Sequence, residues 1–289
     1  MRPTSPNSAA SWPTALGRAR AGRSSLPVIA GLALPASVML LAASLAGAPA
    51  GPASLVPSIG DVTTGLIWNV AGRLPEAGFW GDGGSATNAL LNRPVGVAVD
   101  TAGNTYIADN YNHRVRRVDG ATGVITTVAG TGSCDAQLLN CPWGYDGDNK
   151  PATQALLNAP WGVAFDSRGS LYIADTSNHR VRKVTNPGPD GVITTVAGNG
   201  TWGMAVDGAL ATGTPVGNPN SLVFDAADNL YILQFADGGG GGFANRVLKV
   251  NASDGRISTI VGVNTTQPGY GGDGGPAIYG ILNVPIGLA

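Results

Sequence analysis

Histidine is nearly absent from this chain: His113 and His179 are the only two among 289 residues. Two histidines cannot supply a three-histidine zinc site. Cysteine is equally scarce, with Cys134 and Cys141 alone, and charged residues make up only 12%. Acidic residues are missing altogether from residues 1–50, which hold Arg2, Arg18, Arg20 and Arg23. The formal charge of −1 therefore hides an asymmetry: beyond those four arginines, 13 basic side chains face 18 acidic ones, a net of −5. A remainder of that sign lacks the basic face that phosphate-backbone binding uses for counterion release, so no nucleic-acid partner is expected. No Ser–His–Asp set, carboxylate pair or metal-ligating cluster emerges at useful spacing, and no P-loop lysine follows the glycine runs. No catalytic residue is expected.

What is abundant is glycine, 44 residues, with Val, Ile and Thr clustered in short runs. That composition points to many short strands joined by tight turns. The first fifty residues differ. After the arginines comes an uncharged stretch from Leu26 to Gly47, then Ala48-Pro49-Ala50. A basic start, an apolar centre and an A-x-A site make a helical secretory signal peptide. An uncleaved N-terminal membrane anchor is the other reading, since about 20 apolar residues can span a bilayer. Pro27, Pro35 and the A-x-A site favour cleavage, and no cysteine lies nearby to carry a lipid. The expected location is secreted or in the cell envelope, with membrane contact only through an uncleaved segment. Residues 51–65 read as a linker.

From residue 66 onward the chain copies itself. "VITTVAG" occurs at 124–130 and 192–198, with looser versions at 66–72 and 256–262. "RPVGVAVDTAGNTYIAD" (93–109) returns as "APWGVAFDSRGSLYIAD" (159–175) and "NPNSLVFDAADNLYILQ" (218–234). "NHRVRRV" (112–118) returns as "NHRVRKV" (178–184) and "ANRVLKV" (244–250). Spacing within these blocks is constant while the links between them vary, as when strands are fixed and loops absorb insertions. Each unit holds four strand candidates, with a turn after the first that needs positive φ at Gly103 and, in the third copy, at Asp228. "ATNALLNRP" and "ATQALLNAP" can each make a short helical turn that tucks leucines beneath the link.

Four antiparallel strands in tandem copies predict an all-β β-propeller; a solenoid has shorter repeats without the four-strand meander. Full units fall near 94–130, 160–198 and 219–262, and a truncated fourth begins at 285. The propeller segment, 66–289, therefore holds three full blades plus parts of two more, about half of a six-blade ring. The expectation is a fragment of a larger propeller, in which open blade edges invite self-association.

The string "VAVD..GN.YIAD..NHRVR.V", followed by "G.ITTVAG" and "G[YF].GDGG.A", resembles the NHL-repeat β-propeller family, in the long-repeat form of exported bacterial proteins. The resemblance implies blades around a central axis and ligand surfaces made by loops at one end. It implies no single activity, because related propellers include scaffolds, sensors, RNA binders and a few lyases or hydrolases.

Within the repeat, His113 and His179 occupy the same consensus position, which implies a turn or blade-edge role. Asp109 with Arg114, and Asp175 with Arg180, flank the turn between second and third strands and could pair across it. In the third unit Gln234 replaces the acid while Arg246 remains, and the turn carries a glycine run at 237–242. "GFWGDGG", "GYDGDNK" and "GYGGDGG" set Phe79, Tyr145 and Tyr270 three residues before Asp82, Asp148 and Asp273. Calcium is the ion such loops could admit, but the alternating ligands and distal Glu of a calcium loop are lacking. The expectation is an aromatic packed on a neighbouring blade and an Asp that accepts loop N–H groups. Cys134 and Cys141 share one insertion and read as a disulfide staple.

Residues common to every blade serve what every blade needs, so a function specific to this chain belongs where copies differ. Those departures are the stapled insertion with Trp143, the glycine run, and the aromatics Trp80 and Trp202. With Tyr145 and Tyr270 they form the candidate binding surface, suited to a protein or glycan ligand. The expected function is a binding or scaffold module. The alternative is a propeller lyase or hydrolase with a central metal ion held by acidic or Asn ligands.

Overall fold

The computed structural model describes residues 67–73, 76–131, 141–235, 245–262 and 269–289. All belong to one compact unit, Pro52–Ala289. Residues 1–50, read as a signal peptide or anchor, the linker 51–65, Cys134 and the glycine run 237–242 lie outside the described residues.

The described strands form three sheets. The first blade is β1 (Pro94–Val99), β2 (Thr105–Asp109), β3 (Arg114–Val118) and β4 (Ile125–Ala129), in that spatial order. The second is β6 (Pro160–Phe165), β7 (Leu171–Asp175), β8 (Arg180–Thr185) and β9 (Val192–Ala197), with the two-residue β5 (Lys150–Pro151) added on the outside of β9. The third is β10 (Pro219–Phe224), β11 (Leu230–Gln234), β12 (Arg246–Val250) and β13 (Ile257–Val261). All pairings are antiparallel, and each blade carries the same two register shifts, early in its first strand and early in its third. The repeat is thus a four-stranded propeller blade, as its sequence predicts.

The turn after each first strand is built by an aspartate. Asp100 accepts the N–H groups of Ala102 and Asn104, and Asp166 and Asp225 do the same work in the later copies. Gly103 and Gly169 take φ of 80° and 76° there, and Asp228 takes 60°. Asp228 is tolerated in that conformation and also reaches the second blade, accepting from Ser167 N–H and Oγ at 2.9 and 2.6 Å.

Each link makes a single 3-10 turn: Ala86–Asn88, Ala152–Gln154, Ala211–Gly213 and Ala277–Tyr279. In the first three the alanine that opens the turn is the buried side chain, with Leu91 and Leu157 packing farther along. The link also partly covers the outer edge of the blade that follows it. β5 pairs with β9, and Ser85 and Leu210 bridge to Val124 and Arg256. An outer strand capped in this way is a poorer template for edge-to-edge pairing.

Two apolar clusters fill the junctions between blades, one around Tyr106, Leu157, Leu171 and Ile173, the other around Tyr172, Val216, Ile232 and Leu248. Each full burial of a Leu or Ile contributes about 1.5–3 kcal/mol. Tyr106 meets Phe165 edge-on at 4.8 Å, and Tyr172 meets Phe224 at 4.6 Å, so one aromatic contact recurs at both junctions. The inner strands approach closely. A Cβ on Gly96 would lie 2.1 Å from Trp161 O, and one on Gly162 would lie 2.2 Å from Asn220 O. Residues 285–289 lie beside β10 without strand pairing, Leu288 N–H donating to Ser221 Oγ at 3.1 Å.

Candidate binding face

The links between blades meet the turns between second and third strands. Asn112 Nδ2 donates to Gly78 O, Asn178 Nδ2 to Gly144 O, and Gln234 Nε2 to Gly203 O. One end of each blade therefore gathers a link, a turn and the side chains between them.

His113 and His179 stand at this end with φ of 52° and 53°. Their Nδ1 atoms accept the N–H groups of Ala159 and Asn218, at 3.0 and 3.3 Å, across the junction to the next blade. Those acceptor-bound residues are themselves left-handed, at φ 48° and 41°, directly before a proline, a conformation disfavoured at that position. The histidines hold the strained entry of each following inner strand. Burial, then the charge of Arg114, lowers the pKa of His113, which keeps the ring neutral and able to accept.

The expected pairs across the turn do not form as read. Asp109 and Arg114 are backbone partners in the ladder, but the ion pair of Asp109 is with Arg116, at 3.5 Å and fully buried. Asp175 likewise pairs with Arg182 at 3.3 Å. Arg116 and Arg182 stand two residues along from Arg114 and Arg180 and, by strand alternation, on the same face; each is drawn by a second carboxylate as well, Asp82 or Asp148. Arg114 and Arg180 turn instead to carbonyls of the turn, Asn112 O and Asn178 O. Each carboxylate also accepts from a backbone N–H and an Asn amide: Asn92 and Asn112 for Asp109, Asn158 and Asn178 for Asp175. Desolvation pushes the pKa of Asp175 up to about 6 against the pull of these donors, and raises that of Asp109.

The glycine-loop aspartates complete the same networks, and here too the structure corrects the sequence reading. Asp82 receives Arg116 at 2.7 Å and Thr127 Oγ1 at 2.6 Å; Asp148 receives Arg182 at 2.9 Å and Thr195 Oγ1 at 3.0 Å. These donors are strand side chains, not loop N–H groups. Asp207, in the third blade, accepts the N–H and Oγ1 of Thr259 on β13. The aromatics pack on their own blade's arginines, not on a neighbour. Phe79 lies 5.6 Å from Arg114, and Tyr145 lies 3.7 Å from Arg180 and 4.9 Å from Arg182. Tyr270 is 85% exposed, its hydroxyl bonded to Asp273, which raises its pKa.

Sequence reasoning missed Arg116 and Arg182. A signal was present: the third blade replaces both members of the pair, the acid by Gln234 and the buried arginine by Leu248. Gln234 there accepts from Arg246 at 3.1 Å, so the pair across the turn forms only in the copy that lacks the acid.

Trp80, Trp143 and Trp202 stand on three successive links and are 62%, 60% and 38% exposed. Trp80 stacks on Phe79 at 5.7 Å, and Trp143 lies 6.4 Å from the His113 ring. Cys141, 3% exposed, lies 3.9 Å from Arg114 Nη2. Among the described residues, no group of three or more His, Cys, Asp or Glu side chains is placed to hold a metal ion.

The family profile described as NHL repeat matches residues 157–184, and that described as Teneurin NHL domain matches residues 75–146. The NHL repeat-containing protein 2 of Bos taurus is 36% identical over 100 residues, which cover 34% of this chain and 12% of that protein. Protein SUPPRESSOR OF QUENCHING 1, chloroplastic, of Arabidopsis thaliana is 33% identical over 119 residues, covering 41% and 10%. The chain thus spans about a tenth of the length of these curated relatives. A solved structure of a protein of unknown function from Bacteroides thetaiotaomicron covers 67% of this chain and 41% of its own, at 20% identity and a TM-score of 0.48. The repeated blades and the profiles that match them agree: this chain carries NHL repeats.

Proposed function

We propose that this chain is an exported binding or scaffold module whose ligand, a protein or a glycan, docks on the link-and-turn end of the blades. The observation that carries the reading is the contrast between shared and unshared residues at that end. The shared polar residues (Asp109, Asp175, Arg116, Arg182, His113 and His179) are spent on holding turns and junctions together. The tryptophans Trp80, Trp143 and Trp202 are exposed and are not part of the repeat shared by every blade, and large exposed aromatics serve as anchors in recognition surfaces. Export rests on the basic, then apolar, then A-x-A segment of residues 1–50. The Cys134–Cys141 staple belongs to the same proposal and would fix the insertion that presents Trp143.

The test is replacement of Trp80, Trp143 and Trp202 together by Ala in the full chain, followed by binding to glycan arrays and to surface proteins of the source cell. The triple variant is expected to fold and to lose at least about tenfold in affinity for any ligand the parent captures. Unaltered binding would overturn the reading.

A further inference from the structure

The second blade differs from its neighbours at one place on the proposed face. The arginine that opens the third strand is buried in the first and third blades, Arg114 at 1% exposed and Arg246 at 4%. In the first, Cys141 of the following insertion lies on it, 3.9 Å from Nη2. The link after the second blade has no such insertion. Arg180 is only half-buried and lines a recess of about 240 Å3 with Tyr145, Asp148, Thr195, Asn199 and Thr212.

The recess is polar and pre-set. Arg180 lies over the Tyr145 ring at 3.7 Å and donates to Asn178 O and Asn199 O, both at 3.0 Å. Two bonds leave donors on a guanidinium that carries five. Asp148 is fixed through Oδ1 by Arg182 and Thr195, and a carboxylate retains further acceptor sites. A cation, a carboxylate, a hydroxyl and an aromatic edge thus converge in one small recess. A free anion would meet Asp148, and a free cation would meet Arg180. Neighbouring hydroxyls that accept from one and donate to the other satisfy both, and a few convergent polar groups are what orient a small ligand.

We infer that this recess is a subsite for one neutral pyranose ring, seated between Arg180 and Asp148. The inference rests on the reading of this end of the molecule as a binding face, and it narrows the ligand to a saccharide.

Saturation-transfer NMR on the full chain, with glucose, galactose, mannose and N-acetylglucosamine at millimolar concentration and the matching uronates alongside, tests it. Thr212 is exposed at the rim, so Thr212→Trp fills the recess while leaving the core untouched, and Thr212→Ser keeps the hydroxyl. At least one neutral sugar is expected to give a signal in the parent and in Thr212→Ser, and to lose it in Thr212→Trp. Transfer from uronates alone, from no sugar, or undiminished in Thr212→Trp would each overturn the subsite. The binding-face reading is scored separately by the triple tryptophan variant: loss of a captured macromolecule there, with no monosaccharide signal in the parent, sinks the subsite and keeps the face. A monosaccharide signal together with capture that ignores the tryptophans sinks the face and keeps the subsite.

Discussion

At the scale of single residues, the buried ion pairs carry the sharpest energetic consequences. Arg182 is fully buried between Asp175 and Asp148. Removing one partner of such a pair strands a buried charge and costs about 3–5 kcal/mol, whereas replacing both by groups that pack is far milder. The third blade shows the milder solution in place, with Gln234 and Leu248 at the equivalent positions. Arg182→Leu should therefore destabilise by about 3–5 kcal/mol in urea titration, and Asp175→Gln with Arg182→Leu should recover more than half of that loss. Failure of the second change to rescue would show that Asp148, not Asp175, dominates the need for the arginine. His113 gives a second test, read by pH. Its pKa is lowered in the folded chain from an ordinary 6.5, first by burial and then by Arg114. The unfolded chain then binds more protons below that value, so the contribution of the ring is present above pH 6.5 and lost as pH falls toward the folded pKa. Asp175, with its pKa raised to about 6, acts in the opposite sense: its share is full below 3.8 and lost as pH rises through 6. The comparison must therefore be between parent and His113→Gln. The fall in melting temperature from pH 7 to pH 5 should be smaller in the variant, and an identical profile would remove His113 from the junction's energetics.

At the scale of elements, the strands were legible because their chemistry is local. β-branched runs at fixed spacing from Asp-x-x-Gly or Asp-x-x-Asp turns leave one reading of "VAVDTAGNTYIAD", and all three copies agree on it. The glycine that ends each "VAG" is equally local in cause: Gly130 and Gly198 take φ of 93° and 84°, and donate to Ala152 O and Ala211 O of the next 3-10 turn. The networks were not legible, for a physical reason. Strand alternation says that Arg114 and Arg116 share a face, but not which of them reaches Asp109. In both blades the arginine that reaches the acid is the one also drawn by a carboxylate of a distant link, Asp82 for Arg116 and Asp148 for Arg182. The recess at Arg180 was hidden for the same reason, being assembled from side chains that meet only in the fold. Its residues come from a link, two strands and the next link, and no spacing in the sequence joins them.

At the scale of the whole molecule, the strand contacts between described blades run from each blade to its neighbour, so stability should divide junction by junction, as in other repeat architectures. The two junctions between described blades use the same parts: an inner-strand glycine against a backbone carbonyl, a tyrosine against a phenylalanine, and a histidine against the entry of the next strand. Gly96 and Gly162 are the places to separate them, because a methyl there meets Trp161 O or Asn220 O at 2.1 or 2.2 Å, and backbone cannot yield as a side chain can. Overpacking of this kind typically costs about 1–3 kcal/mol. Local opening raises amide exchange in the unit that detaches and spares units that keep their contacts. Gly96→Ala should therefore speed exchange across β1–β4 and leave β10–β13 at parental rates. Gly162→Ala should do the reverse, freeing β10–β13 while the first junction holds. The second blade, which belongs to both junctions, should respond to each. A uniform rise across all three blades in either variant would mean that they unfold as one cooperative body, and the junction-by-junction account would fall.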